Sequence, residues 1–182
     1  MEVNGNVIIS DDYVFDRDIL IIGIDPGKNG GACLIHIYKE IETVNVFRCP
    51  GTPSEMVSQL ASHIPSKITK ANGFAFVEHV HAMPKQGVVS TFSFGQNLGQ
   101  WEGALASQDI NVEYVGPRKW MDLYNTPKGL SRRDRKRYLR GEAEIIFPNI
   151  KMTFNISDAM LIANYGKQVI ADRFNSGGSY EL

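Results

Sequence analysis

Residues 21–38 read IIGIDPGKNGGACLIHIY: an apolar climb through Ile21, Ile22 and Ile24 meets a carboxylate at Asp25 and breaks at once into Pro26, Gly27 and the pair Gly30 and Gly31. An ionised carboxylate avoids the end of an apolar strand, because desolvation costs several kcal/mol unless a cation or hydrogen bonds compensate. The residue therefore asks for a cation. Outward from it, ILIIGID (19–25), GACLIHIY (31–38) and TVNVFRC (43–49) are β-type runs separated by PGKNG and KEIE, the pattern of three sequential strands.

Further along, TPSEMVSQLASHI (52–64) has a Thr start, an acidic first turn and Met56, Leu60 and Ile64 at spacing four, which predicts an amphipathic helix. GFAFVEHV (73–80) reads as a fourth strand, apolar on both faces as a doubly covered strand is, and it too carries a carboxylate near its end, Glu78. The loop HAMPKQG leads into STFSFGQNLGQWEGALASQ (90–108), where Gly95, Gly99 and Gly103 share one helical face. Each glycine costs a helix about 1 kcal/mol, so three in register imply close approach of another backbone, in a bundle contact or a dimer seam. NVEYVG (111–116) is a fifth strand, SRRDRKRYLRGEAEIIF (131–147) a strongly basic helix ended by Pro148, and SDAMLIANYGKQVI (157–170) an apolar last helix. Residues 1–18 read as a polar extension with one short apolar piece, VII; 19–172 as one domain; and 173–182 as a flexible tail.

Composition agrees with one globular domain: 182 residues, 43% hydrophobic and 21% charged. The formal net charge of −1 excludes a uniformly basic coat but not a local patch. Cys33 and Cys49 are too few for a disulfide framework and lack metal-site spacing, which points to a reducing, cytoplasmic setting. No apolar run approaches a membrane span, and no motif asks for an organic cofactor.

Asp25 ends one strand, Glu78 another, and Asp158 opens the last helix, each in apolar surroundings. If they converge, they offer hard oxygen ligands to Mg²⁺ or Mn²⁺. Two such ions about 3.5–4 Å apart clamp both oxygens of an in-line phosphodiester displacement. Between Lys128 and Arg140 lie Lys128, Arg132, Arg133, Arg135, Lys136, Arg137 and Arg140 against the single acid Asp134, the footprint of a phosphate backbone.

The order of elements is similar to that of the α/β ribonuclease H-like fold, a five-stranded mixed sheet flanked by helices. IIGIDPG, FVEHVHAM, FGQNLGQ, VGPRKW and DAMLIANYG resemble, in order, the signature segments of RuvC-type Holliday junction resolvases of the phage and chloroplast branch. The resemblance implies a homodimeric endonuclease that nicks four-way DNA junctions symmetrically with two Mg²⁺ or Mn²⁺ ions per site. Its metal ligands would be Asp25, Glu78 and Asp158. Where relatives place a further acid or histidine before the last aspartate, this chain has Asn155, which brings no charge and would hold the second ion more weakly; a junction-binding protein with impaired catalysis is one alternative, and a related ribonuclease H-like nuclease acting on other branched DNA is another. The family's supporting lysine maps to Lys136, with Lys119 as a second candidate that would also touch DNA. Its junction-opening aromatic maps to His81, with Met83 close by on the same loop, and Phe92 and Phe94 are either further wedges or core residues. Gly95, Gly99 and Gly103 would form the dimer seam. IDPGKNGG also resembles the phosphate loop of actin-like kinases, but those need a second half that this length does not supply.

Overall fold

The structure, a computed structural model, describes residues 3–9, 18–39, 41–79 and 87–176. Its elements in chain order are β1 (Val3–Ile9), β2 (Ile19–Asp25), β3 (Gly31–Tyr38), β4 (Ile41–Arg48), α1 (Pro53–His63), β5 (Gly73–Glu78), α2 (Val88–Ser107), β6 (Asn111–Val115), α3 (Pro117–Asp122), α4 (Arg132–Ile146) and α5 (Ser157–Asn175). They build a mixed sheet of order β1-β4-β3-β2-β5-β6. The antiparallel pairs are β2 with β3, β3 with β4 and β4 with β1; β5 runs parallel to both β2 and β6.

All five expected strands are present. A sixth, β1, lies along the edge with Val7 opposite Thr43 and Ile9 opposite Ile41, so the sheet takes in part of the segment read as a polar extension. An edge strand pairs along one side only, and its sequence need not carry the two-faced apolar pattern that marked β2 and β5. α5 likewise runs on to Asn175, past the expected domain end at 172, and 177–182 lie outside the described residues.

Every residue of β2 is buried because helices cover both faces of the sheet. Strand alternation sends Ile19 and Ile21 to one side, where they join Phe74, Phe76 and residues of α3, α4 and α5. Leu20, Ile22 and Ile24 go to the other, against Met56 and Leu60 of α1 and Trp101, Ala104 and Leu105 of α2. α1 begins with a capping box in which Thr52 accepts from the Glu55 backbone and Glu55 accepts from that of Thr52. No helix among the described residues is long and apolar enough to cross a membrane.

Candidate active site

Three local features bring the expected carboxylates together. β2 and β5 are parallel neighbours with Ile24 opposite Val77, so the next residues, Asp25 and Glu78, emerge side by side at the same sheet end. α5 lies on β2 with no side chain between them at Gly23, where an added Cβ would stand 2.3 Å from both the Ala159 carbonyl oxygen and the Ala163 nitrogen. That contact draws the first turn of α5, and with it Asp158, up to the end of β2. The turn after Asp25 then folds back tightly: the Gly30 N–H donates to the Gly27 carbonyl at 2.9 Å, Gly27 adopts a φ of 122° that favours glycine, and a Cβ on Gly30 would meet the Asp25 carbonyl.

Lys136, half-buried on α4, closes the group. Its ammonium donates to Asp158 Oδ2 and stands 3.9 Å from Asp25 Oδ2. Asp25 and Asp158 are buried, 9% and 6% exposed, so their charges interact through little water. Burial first, then the Asp158 and Glu78 carboxylates, push the Asp25 pKa up to about 8, with Lys136 only partly offsetting them. Burial raises Glu78 too, against a hydrogen bond from Trp120 Nε1 to Glu78 Oε1 at 3.0 Å. Burial alone would lower Lys136, but Asp158, Asp25 and Glu78 outweigh it and hold the ammonium above its usual value. As the side chains stand, the described residues contain no group of three His, Cys, Asp or Glu placed to share one ion, and the Lys136 ammonium is the cation among these carboxylates.

The other sequence-derived candidates separate. Asn155 sits beside the cluster, but its amide nitrogen donates to the Asn29 carbonyl at 2.8 Å, tying the loop before α5 to the turn after Asp25. Arg135 lies near enough to Glu78 to favour its charged form. Arg132, Arg133 and Arg137 point outward on α4, Arg137 pairing with Asp134 at 3.1 Å, while Lys128 and Lys119 are exposed on the loop before α4 and on α3. Arg140 pairs with Glu144. His81 and Met83 lie outside the described residues. Phe92 is 72% exposed and is no core residue, whereas Phe94 rests on Gly27. A Cβ added at Gly95, Gly99 or Gly103 would meet nothing within 4 Å, so the close approach expected of them is not made among the described residues.

Two residues at the site escaped the sequence reading. Trp120 orients Glu78, and Asn97 of α2 accepts from the Gly27 N–H at 2.7 Å and donates to Cys49 Sγ at 3.1 Å, fastening the turn beneath Asp25. Both fall inside quoted motifs, VGPRKW and FGQNLGQ, which is the signal that pointed at them without giving their partners.

No family model matches the sequence, and no curated protein matches it. Among solved structures, RuvC of T. thermophilus in complex with a Holliday junction substrate superposes with a TM-score of 0.55 over 90% of this chain and 100% of that one, at 14% identity. The fold is that of RuvC. A second RuvC structure, from Thermus thermophilus, gives 0.52 over 84% and 98%, again at 14% identity. A fowlpox virus resolvase with its substrate Holliday junction DNA, at 0.46, 16% identity and coverages of 85% and 98%, is too distant to add to this. The RuvC-like fold agrees with the ribonuclease H-like order expected from the sequence, and β1 is an edge strand beyond the five expected.

Proposed function

We propose that this protein is a metal-dependent, structure-selective endonuclease that resolves four-way DNA junctions by paired symmetric nicks, acting as a homodimer. The observation that carries the reading is the convergence of Asp25, Glu78, Asp158 and Lys136 at one sheet end of a RuvC-like fold. The similar RuvC structure is itself described with a Holliday junction substrate.

The donor set suits Mg²⁺ or Mn²⁺: it is all carboxylate oxygen, and burial together with the neighbouring negative charge holds a proton on Asp25 far above the usual carboxylate range. Asp25, Glu78 and Asp158 would be the ligands, with the Asn155 carbonyl oxygen as a neutral fourth donor while its nitrogen stays on Asn29. If bound there, two such ions would supply an activated water and charge stabilisation for the leaving 3′ oxygen. The chain's own residues position and balance. Trp120 fixes the Glu78 carboxylate, Asn97 holds the turn that carries Asp25, and Lys136 neutralises Asp25 and Asp158 beside the scissile phosphate. Arg132, Arg133, Arg135, Arg137 and Lys128, with Lys119, bind the flanking phosphates and give affinity that falls steeply with salt.

A two-fold substrate asks for two sites related by the same symmetry. The exposed glycine face of α2 is the proposed seam, because it lets a second backbone approach and no described residue stands in the way. The neutral Asn155 favours one second reading, a junction-binding protein with weakened catalysis. A nicking assay with Mg²⁺ on a labelled four-way junction, beside linear duplex, forked DNA and RNA–DNA hybrid, tests both. Paired nicks confined to the junction are the expected result; tight junction binding with no cleavage at any metal concentration would select the second reading, and preference for hybrid or duplex would overturn both.

A further inference from the structure

Lys136 and Arg140 stand one turn apart on the same face of α4, and Asp158 and Phe154 are likewise four residues apart. They meet as two adjacent pairs: Lys136 with Asp158, and Arg140 with Phe154, the guanidinium carbon lying 5.1 Å from the ring centroid. The first pair belongs to the carboxylate cluster, with Asp158 buried and Lys136 half-buried. The second opens to solvent, with Phe154 47% exposed and Arg140 braced through its edge by Glu144, Nε and Nη2 reaching the same Oε1 at 2.9 and 2.8 Å. Phe154 is also held in place by its neighbour, since Asn155 is tied to the Asn29 carbonyl.

An aromatic ring that is oriented by a cation, pinned by its neighbouring residue and left nearly half bare is a poor way to build a core and a good way to receive a flat group. We propose that the Arg140–Phe154 pair is a stacking platform for an unstacked nucleobase next to the scissile phosphate, an inference that rests on the junction-nuclease reading. The spacing supports it: Arg140 lies one helical turn, about 5.4 Å, along α4 from Lys136, so the platform adjoins the carboxylate cluster. Every base offers a π-face, so the platform favours opened strands over paired duplex without reading sequence. In a four-way junction the bases at the exchange point are the ones open to unstacking.

The test places 2-aminopurine on either side of the cleaved phosphate of a junction and measures its fluorescence on binding, with junction affinity followed separately by anisotropy. Wild type is expected to change the probe signal at one position. Phe154→Leu should bind the junction within about twofold and keep its melting temperature, but lose that signal and about tenfold in cleavage rate, and Phe154→Trp should restore both. Equal signals from wild type and Phe154→Leu, with both proteins bound, would overturn the platform alone. Absence of junction binding by wild type would overturn the junction-nuclease reading, and the platform with it.

Discussion

α5 and α2 carry the same sequence signature, small residues at helical spacing, and the fold uses them in opposite ways. On α5, Ala159 and Ala163 let the helix backbone reach β2 at Gly23, and Gly166 lies under the Phe76 ring, where an added Cβ would come within 2.3 Å. On α2, Gly95, Gly99 and Gly103 face open space, and the same helix buries its other side through Trp101, Ala104 and Leu105. Small residues report that close approach is allowed, and only the rest of the sequence says by whom. Around α5 the flanking residues are apolar, so the chain's own sheet fills the role; around α2 the glycines alternate with Gln96 and Gln100, and no described residue of the chain covers them.

Breaking the tight side has the largest expected effect. Gly23→Val would drive a side chain into the backbone of α5, costing at or above the upper end of the ~1–3 kcal/mol typical of overpacking, because backbone rather than a flexible side chain must move. Urea unfolding should register the loss, and cleavage should disappear because Asp158 moves with the helix. The open side should respond in the reverse sense. Gly99→Ala is expected to stabilise a monomer by about 1 kcal/mol through helix propensity alone, while Gly99→Leu should shift sedimentation from dimer to monomer. A wild type that sediments as a monomer both alone and on junction DNA would remove the seam.

The carboxylate cluster sharpens the same contrast through pH. Asp25 binds its proton far more tightly folded, near pH 8, than unfolded, near 3.8. Between those values the folded state holds the extra proton, so this group's contribution to stability falls as pH rises and the loss is complete above about 8. Without divalent metal, Asp25→Asn should therefore melt higher than wild type, with the gap widening from pH 5 to pH 8. A gap that stays flat would mean that Asp25 is not buried among like charges. Smallest is Asn155→Asp, which leaves the Asn29 carbonyl without its donor and should cost ~0.5–1.5 kcal/mol in metal-free thermal unfolding; no change at all would show that the tie between the two loops is dispensable.

The parts of this arrangement that were legible in the sequence share a physical cause. Asp25, Glu78 and Asp158 stood out because each interrupts a run that otherwise buries itself, and burying a charge is costly wherever it happens. The strands β2 to β6 were legible as short β-type apolar runs bounded by turn residues, and α4 by its nearly single-sign charge. What stayed hidden depends on long-range meeting. Trp120 reaches Glu78 across 42 positions and Asn97 reaches Gly27 across 70, and no local pattern encodes either partner. Lys136 is singled out among the seven basic residues of its stretch by the resemblance alone; its place among the carboxylates comes from the packing of α4 against α5, which charge counting does not contain. The Arg140–Phe154 pair was invisible for the same reason.

The most direct measurement is junction cleavage set against junction binding for Asp25→Asn, with Glu78→Gln beside it. If the sheet-end cluster is the catalytic centre and the basic face of α4 supplies the DNA contacts, both substitutions should abolish Mg²⁺-dependent nicking while anisotropy shows affinity within about twofold of wild type, with the salt slope unchanged. Nicking that persists in Asp25→Asn, or binding that is lost along with cleavage in a protein that still melts cooperatively, would contradict the assignment.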